Sequence, residues 1–162
     1  MKIRDRIKEL RRVKAADLMP NPNNWRLHPA SQENALRSVL ADVGFADAAI
    51  ARETKDGLML IDGHLRTEVA SDTEIPVLIV DLDEDEANRL LATLDPIATM
   101  AEANSDMLES LIEGYNFSED LSDLLTAIID RQEIPEPPAD FDTFNDDLET
   151  QYKCPKCSYE WG

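Results

Sequence analysis

The sequence is poor in the residues that build disulfide scaffolds, membrane anchors and flexible repeats. Its 162 residues include two cysteines and five glycines, and no apolar run approaches the length of a membrane span. The N-terminus also lacks the apolar segment of a secretory signal peptide. A cytoplasmic location without a membrane partner is therefore expected. Positive charge is scarce as well, and the net charge of −18 argues against a simple coat protein on nucleic acid.

The few positive charges are concentrated at the N-terminus. Residues 1–37 contain nine Lys and Arg against four Asp and Glu, whereas the remainder contains seven against thirty. Two arrangements fit this asymmetry: a basic arm that contacts DNA phosphates, or an arm that packs on the chain's own acidic body. Ile3, Ile7 and Leu10 are helically spaced, so residues 1–16 are predicted to form a basic helix.

A glycine turn between an apolar strand and a helix is the most informative segment, LIDGHLRTEVA at residues 60–70. Gly63 permits a tight turn, and Asp62 can cap the helix that follows. The backbone N–H groups after the glycine, together with His64 and Arg66, can bind a phosphate or another anion. The segment predicts an anion site at the start of this helix.

The proline-rich loop that precedes the first long helix supplies the expected second wall of this site. It reads MPNPNNWRLHP at residues 19–29 and carries Arg26 and His28. The alternative is purely structural, with Arg26 and Arg66 in salt bridges to the acidic body and His64 bonded to a local carbonyl.

Apolar patterning predicts the remaining elements. A buried strand at residues 75–81 leads into an acidic-capped helix from Asp83 to Leu94, and Pro96 is expected to stop or kink that helix. The other predicted elements are a helix at 31–43, strands at 48–52 and 58–61, and helices at 105–113 and 118–131. Residues 133–151 are acidic and contain three prolines, which predicts an extended linker.

The order of these segments resembles that of the ParB N-terminal/sulfiredoxin-like superfamily. It is most similar to the members found in phage and mobile-element proteins, which carry a G-H-x-R box. An Asn/Pro/Arg box, a glycine box and a strand-helix box there form a nucleotide pocket. The resemblance implies a mixed-sheet α/β (α+β) core at 17–100, a helical extension at 101–132 and a flexible acidic tail. It also implies that the nucleotide is a triphosphate such as CTP or ATP. The implied nucleotide- or phosphate-binding residues are Asn24, Arg26, His28, Gln32, Gly63, His64, Arg66 and Thr67.

The resemblance implies a role in DNA transactions, with DNA and a protein partner or a second copy as partners. The chain departs from its relatives because Leu65 replaces one phosphate ligand and no cysteine lies in the glycine box. The alternative is an enzyme, a Mg²⁺-dependent NTPase, phosphotransferase or nuclease, in which Asp62, His64 and Glu68 would be catalytic. A third possibility is an acidic interaction protein.

The C-terminal residues 152–162 carry both cysteines, in the sequence Cys154-Pro155-Lys156-Cys157. This spacing is typical of one half of a zinc site, and Cys154 and Cys157 are predicted metal ligands. Structural Zn²⁺ takes four ligands, and His28 and His64 are the only histidines in the chain. Either two chains each contribute a pair, a partner supplies the rest, or the pair is unmetallated; a redox dithiol is the further alternative.

Overall fold

Apolar strands and amphipathic helices alternate along the chain and assemble into one sheet with helices around it. The computed structural model describes residues 2–130 and 152–161. The strands are β1 (Ile7–Lys14), β2 (Leu18–Met19), β3 (Ala49–Thr54), β4 (Gly57–Asp62), β5 (Glu74–Val80), β6 (Tyr152–Lys153) and β7 (Glu160–Trp161). The helices are α1 (Ala30–Asp42), α2 (His64–Val69), α3 (Glu84–Thr99), α4 (Ser105–Gly114) and α5 (Glu119–Asp130). A single 3₁₀ turn, Ala15–Asp17, joins β1 to β2.

The first five strands form a mixed sheet in the order β1-β5-β3-β4-β2. The central strand β3 runs parallel to β5 and antiparallel to β4. At the edges, β1 is antiparallel to β5 and β2 is parallel to β4. This mixed α/β architecture confirms the predicted fold class.

Two apolar clusters pack on the sheet. Leu60 and Ile79 belong to the larger cluster, whereas Ile61 and Leu91 belong to a smaller cluster that includes α3. Leu60 and Ile61 are neighbours in β4, and successive side chains of a strand point to opposite faces. The sheet is therefore covered on both sides, and its second face, under α3, supports the site described below.

The predicted N-terminal helix is wrong, because residues 7–14 form the edge strand β1. The residues that suggested a helix face are not buried: Leu10 is 62% exposed and Ile7 is 53% exposed. The strand instead pairs with β5 along its length. Backbone pairing with a neighbouring strand has overridden the local spacing, and the sheet begins earlier than the predicted core boundary at residue 17.

Helix α3 begins as predicted but ends later. The Asp83 side chain accepts a hydrogen bond from the Glu86 N–H at 2.8 Å, and the Glu86 side chain accepts one from the Asp83 N–H at 3.1 Å. The helix continues three residues beyond Pro96 to Thr99. Of the two expected effects of Pro96, the stop is wrong and the kink stays a prediction; a proline near the end removes a single N–H donor and keeps a helical φ.

Two further predictions concern membrane-spanning helices and the acidic linker. Among the described residues, no helix is both long and apolar enough to cross a membrane. The predicted acidic linker, residues 133–151, lies outside the described part of the chain.

Candidate functional site

A cavity of about 350 Å³ lies where the glycine turn, the proline-rich loop, α1, α3 and α5 meet. Its wall combines polar groups from the two predicted boxes with apolar side chains from three helices. The polar residues that line it are Asn24, Arg26, His28, Gln32, Asp62, His64, Arg66 and Asp95. The remainder are Ala35, Leu36, Val39, Ile61, Gly63, Leu65, Leu91, Leu121 and Leu124. The two boxes predicted to form one site therefore do meet at one cavity.

The turn into α2 requires a glycine. Gly63 has a φ of +90°, and a Cβ at this position would lie 2.8 Å from the Cβ of Ala49 on the neighbouring strand. The prediction that Asp62 caps the helix is wrong, because Gly63 is the N-cap and no side-chain cap bond is present. The left-handed turn leaves Asp62 in the cavity wall instead.

Arg66 lines the cavity with its guanidinium held at one edge. Its Nη1 donates to the Ala48 carbonyl at 2.9 Å, and its Nη2 lies 2.6 Å from the Asp47 carboxylate. The Asp47 side chain is 72% exposed, whereas that of Arg66 is 22% exposed. An ion pair with so exposed a carboxylate is weak, so the arginine can exchange this partner for another anion.

Arg26 approaches the same cavity from the proline-rich loop. It forms an ion pair with Asp95 of α3, and its guanidinium lies 5.8 Å from the centre of the Trp25 ring. Both arginines therefore have carboxylate partners, as the structural interpretation predicted, and both line one cavity, as the binding interpretation predicted. Asp95 was not among the predicted site residues, since only the tertiary fold brings α3 to Arg26.

His64 is buried at the base of the cavity and is not cationic there. Its Nε2 accepts a hydrogen bond from the Asn21 N–H at 3.1 Å. Burial lowers the pKa of His64, outweighing the nearby Asp62 and Glu68 carboxylates, which act to raise it. A neutral ring that accepts at Nε2 carries its proton on Nδ1, so His64 can offer a hydrogen bond but not a charge.

Asn21 is a structural residue that the sequence interpretation did not assign. It is buried, its Nδ2 donates to the Leu60 carbonyl at 3.1 Å, and its Oδ1 accepts from the Asn23 N–H at 2.9 Å. These bonds fix the proline-rich loop to β4 beside the glycine turn. Farther along the wall, His28 Nδ1 and Gln32 Oε1 are 2.9 Å apart.

Two predicted residues do not line this cavity. Thr67 and Glu68 line a second cavity of about 210 Å³, beside the 3₁₀ turn and β2. The Thr67 hydroxyl donates to the Gly63 carbonyl at 2.8 Å. Thr67 and Glu68 thus lie on another side of α2 from Arg66, while His64 lines both cavities. Asp62 and Glu68 line different cavities but both act on the pKa of His64, so the grouping of Asp62, His64 and Glu68 as catalytic residues stays a prediction.

The wall formed by α5 is the part that the sequence interpretation missed. Leu121 and Leu124 of α5 line the cavity together with Leu36, Val39 and Leu91. The helix itself was predicted at 118–131, but the surface that it covers is set by its contact with α1.

The N-terminal basic residues are largely paired within the chain. Arg6 forms a bidentate contact with Glu86, with Nη–Oε distances of 2.7 and 2.6 Å, and this contact lowers the pKa of Glu86 to about 2. Lys8 lies 2.8 Å from Glu53. Of the two arrangements left open, packing on the acidic body describes this part of the arm.

The described residues contain no group of three or more His, Cys, Asp or Glu side chains that could hold a metal ion within one chain. A Mg²⁺ ion would have to arrive with phosphate oxygens supplied by a ligand, as it commonly does. Cys154 and Cys157 are free thiols at the turn between β6 and β7.

The five-stranded mixed sheet with its flanking helices defines the chain as having a ParB N-terminal-like fold. The structure is similar to the C-terminally truncated chromosome-partitioning protein ParB from Caulobacter crescentus, which was solved in complex with CTP-gamma-S. The TM-score is 0.55 at 15% sequence identity, over 75% of this chain and 70% of that chain. No protein-family model and no curated protein sequence matches this chain.

Proposed function

We propose that this chain binds a nucleoside triphosphate, CTP or ATP, in the cavity between the glycine turn and α5. The observation that carries the proposal is the convergence of Arg26 and Arg66 on one cavity from segments 40 residues apart in sequence. Its volume of about 350 Å³ is in the usual range of small-molecule sites.

The mixed lining of the cavity supports a nucleotide rather than a bare anion. Arg66 and Arg26 supply cationic donors. Leu36, Val39, Leu91, Leu121 and Leu124 supply apolar surface. Phosphates match the arginines and a base or sugar face matches the apolar surface, because buried apolar surface favours flat, weakly hydrated groups.

The ion pairs of the two arginines explain how a cavity in so acidic a protein can accept an anion. Asp47 and Asp95 neutralise Arg66 and Arg26 when no ligand is bound. A triphosphate must replace these carboxylates, and Asp47 is the easier to displace because it is exposed. Mg²⁺ bound to the phosphates would reduce repulsion from the displaced carboxylates and from Asp62.

Binding is favoured over catalysis by the positions of the candidate catalytic groups. The Nε2 of His64 is occupied by the Asn21 amide, and Glu68 lines the second cavity, which His64 also borders. The described residues that line the cavity with the arginines include no Ser, Thr, Cys or Lys side chain that could act as a nucleophile. We therefore propose a ligand-dependent binding protein, acting in the DNA transactions of a phage or mobile element, in line with the G-H-x-R box.

A thermal-shift series with CTP, ATP, GTP and UTP, each with Mg²⁺, tests the proposal. A ligand at a hundredfold excess over its Kd adds about 2.7 kcal/mol to the free energy of unfolding, which raises Tm by several degrees. Arg66→Ala is expected to abolish the shift. Asp47→Asn is expected to lower the Kd, because it removes the competing carboxylate.

Arg37→Ala is the matched control. Arg37 is also a helical arginine in an ion pair, with Glu33 at 2.7 Å, but it does not line the cavity. Its replacement should leave the ligand-induced shift unchanged. The proposal is wrong if no triphosphate raises Tm, or if Arg37→Ala abolishes the shift as fully as Arg66→Ala.

DNA contact is the second part of the proposal, and β1 supports it. Arg12 and Lys14 are exposed on this edge strand, and the structure shows no ion pair for either within the described residues. Each phosphate contact contributes about 0.9 to the slope of log K against log salt. Replacing both residues by alanine should lower the slope of DNA binding by about 2, whereas deleting β1 would disrupt the sheet.

A further inference from the structure

The C-terminal hairpin of residues 152–161 is a preformed cysteine turn. Strands β6 and β7 pair through Tyr152 with Trp161 and Lys153 with Glu160. Within the turn, the Cys154 N–H donates to the Tyr159 carbonyl at 2.7 Å, and the Ser158 N–H donates to the Cys154 carbonyl at 2.9 Å. The backbone of this turn is therefore held by its own hydrogen bonds.

Both cysteines lie on this one short turn. Cys154 directly follows β6, Cys157 comes three residues later, and both are free thiols. Two thiols at this spacing on a hairpin turn form half of a tetrahedral thiolate site.

Within the described part of the chain, no second pair of ligands completes this tetrahedral site. It contains no metal-binding group of three or more ligands. The chain has no third cysteine, and its two histidines are engaged elsewhere, with His64 Nε2 accepting from Asn21 and His28 Nδ1 facing Gln32. Structural Zn²⁺ takes four protein ligands, and a second copy of the chain supplies an identical pair.

We propose that the turns of two copies of this chain, each contributing Cys154 and Cys157, bind one Zn²⁺ between them. Identical half-sites meet naturally across a twofold axis. Charge also favours this contact, because the hairpin carries Lys153 and Lys156 against Glu160, while the whole chain has a net charge of −18. Four thiolates around Zn²⁺ carry a net charge of −2, which the four lysines of two hairpins offset.

The experiment measures zinc content and molecular mass of the full chain, purified under reducing conditions. We expect about one Zn²⁺ per two chains, by elemental analysis. Sedimentation equilibrium should give a dimer with Zn²⁺ and a twofold lower mass after chelation. Replacement by Co²⁺ should give the ligand-field absorption of a tetrathiolate site.

Variants separate the metal site from the rest of the molecule. Cys157→Ser should abolish both zinc binding and the zinc-dependent dimer, while the thermal unfolding of the sheet stays unchanged. Ser158→Gly is the matched control: residue 158 has a φ of +62°, which glycine adopts freely, so zinc and dimer should both persist.

Three outcomes would overturn the proposal. One is a monomer that holds one zinc per chain, and another is a dimer that resists chelation. The third is a metal-free chain whose two cysteines form a disulfide and exchange with thiols. None of these depends on nucleotide binding, so the two proposals fail separately.

Discussion

The sheet region and the α4–α5 region differ sharply in how many apolar side chains they bury. Residues 7–99 contain every buried apolar side chain of the described chain, in clusters on both faces of the sheet. Helices α4 and α5 contain no buried residue, although Leu121 and Leu124 of α5 line the cavity. The cavity therefore combines a wall built on the buried core with a wall from α5, which contacts mainly α1 and α4.

The largest expected difference between the two regions is how far the free energy of unfolding falls when an apolar side chain is truncated. Ile79 is fully buried in β5, and Ile79→Ala should lower the free energy of unfolding by about 2–5 kcal/mol. Leu124 is 43% exposed, and Leu124→Ala should cost less than about 1 kcal/mol. Urea unfolding followed by circular dichroism measures both. Equal costs would mean that α5 belongs to the same core.

The second expected effect is that a bound ligand reduces the difference in amide hydrogen exchange between α5 and β5. Without nucleotide, the amides of α5 should exchange hydrogen faster than those of β5, since local opening exposes few apolar contacts. A triphosphate at a hundredfold excess over its Kd should raise the protection of α5 by up to about 2.7 kcal/mol. Hydrogen exchange with mass spectrometry reads this out. Slowing confined to β5 would contradict the role of α5 as a wall.

Two side-chain helix N-caps give a third, smaller contrast. Asp83 accepts from the Glu86 N–H at 2.8 Å in the sheet region, and Asn104 accepts from the Met107 N–H at 3.1 Å at the start of α4. Asp83→Ala should lower global stability by about 1 kcal/mol. Asn104→Ala should leave the global transition in place and reduce only the exchange protection of α4. A global loss from both variants would show that the regions unfold together.

The smallest effect is a pH dependence confined to the sheet side. The pKa of His64 is lowered in the folded chain, so between that pKa and about 6.5 the unfolded state binds more protons and stability rises with pH. Stability should therefore fall as the pH drops from 7.5 to 5.5. His64→Gln, which keeps an acceptor for the Asn21 N–H but does not titrate, should flatten this dependence. Glu86 contributes in a separate window below pH 4.5, because its pKa is about 2.

His28→Gln replaces the other histidine of the chain and is the matched control. Failure of His64→Gln to change the slope in guanidinium titrations at pH 5.5 and 7.5 would contradict the expected role of His64. The comparison of the two variants assigns the effect to one side chain.

Local patterns predicted the central strands, α1 and the cap of α3 close to their observed bounds. Alternation and capping are local properties, so they are readable from the sequence. The N-terminal segment was misread because Ile3, Ile7 and Leu10 mimic a helix face. Its state is decided by pairing with β5, 60 or more residues later in the chain.

For the candidate site, the sequence determined which chemical groups were available: a glycine that must turn with positive φ, and two arginine-bearing segments. The tertiary structure decided which of them meet. It brought Arg26 and Arg66 to one cavity, turned Thr67 and Glu68 away, and placed Asp95 and α5 in the wall. The physical reason is the distance along the chain over which each kind of interaction acts. Backbone sterics and capping act within a few residues, whereas a cavity is defined by side chains that only packing of distant elements brings together.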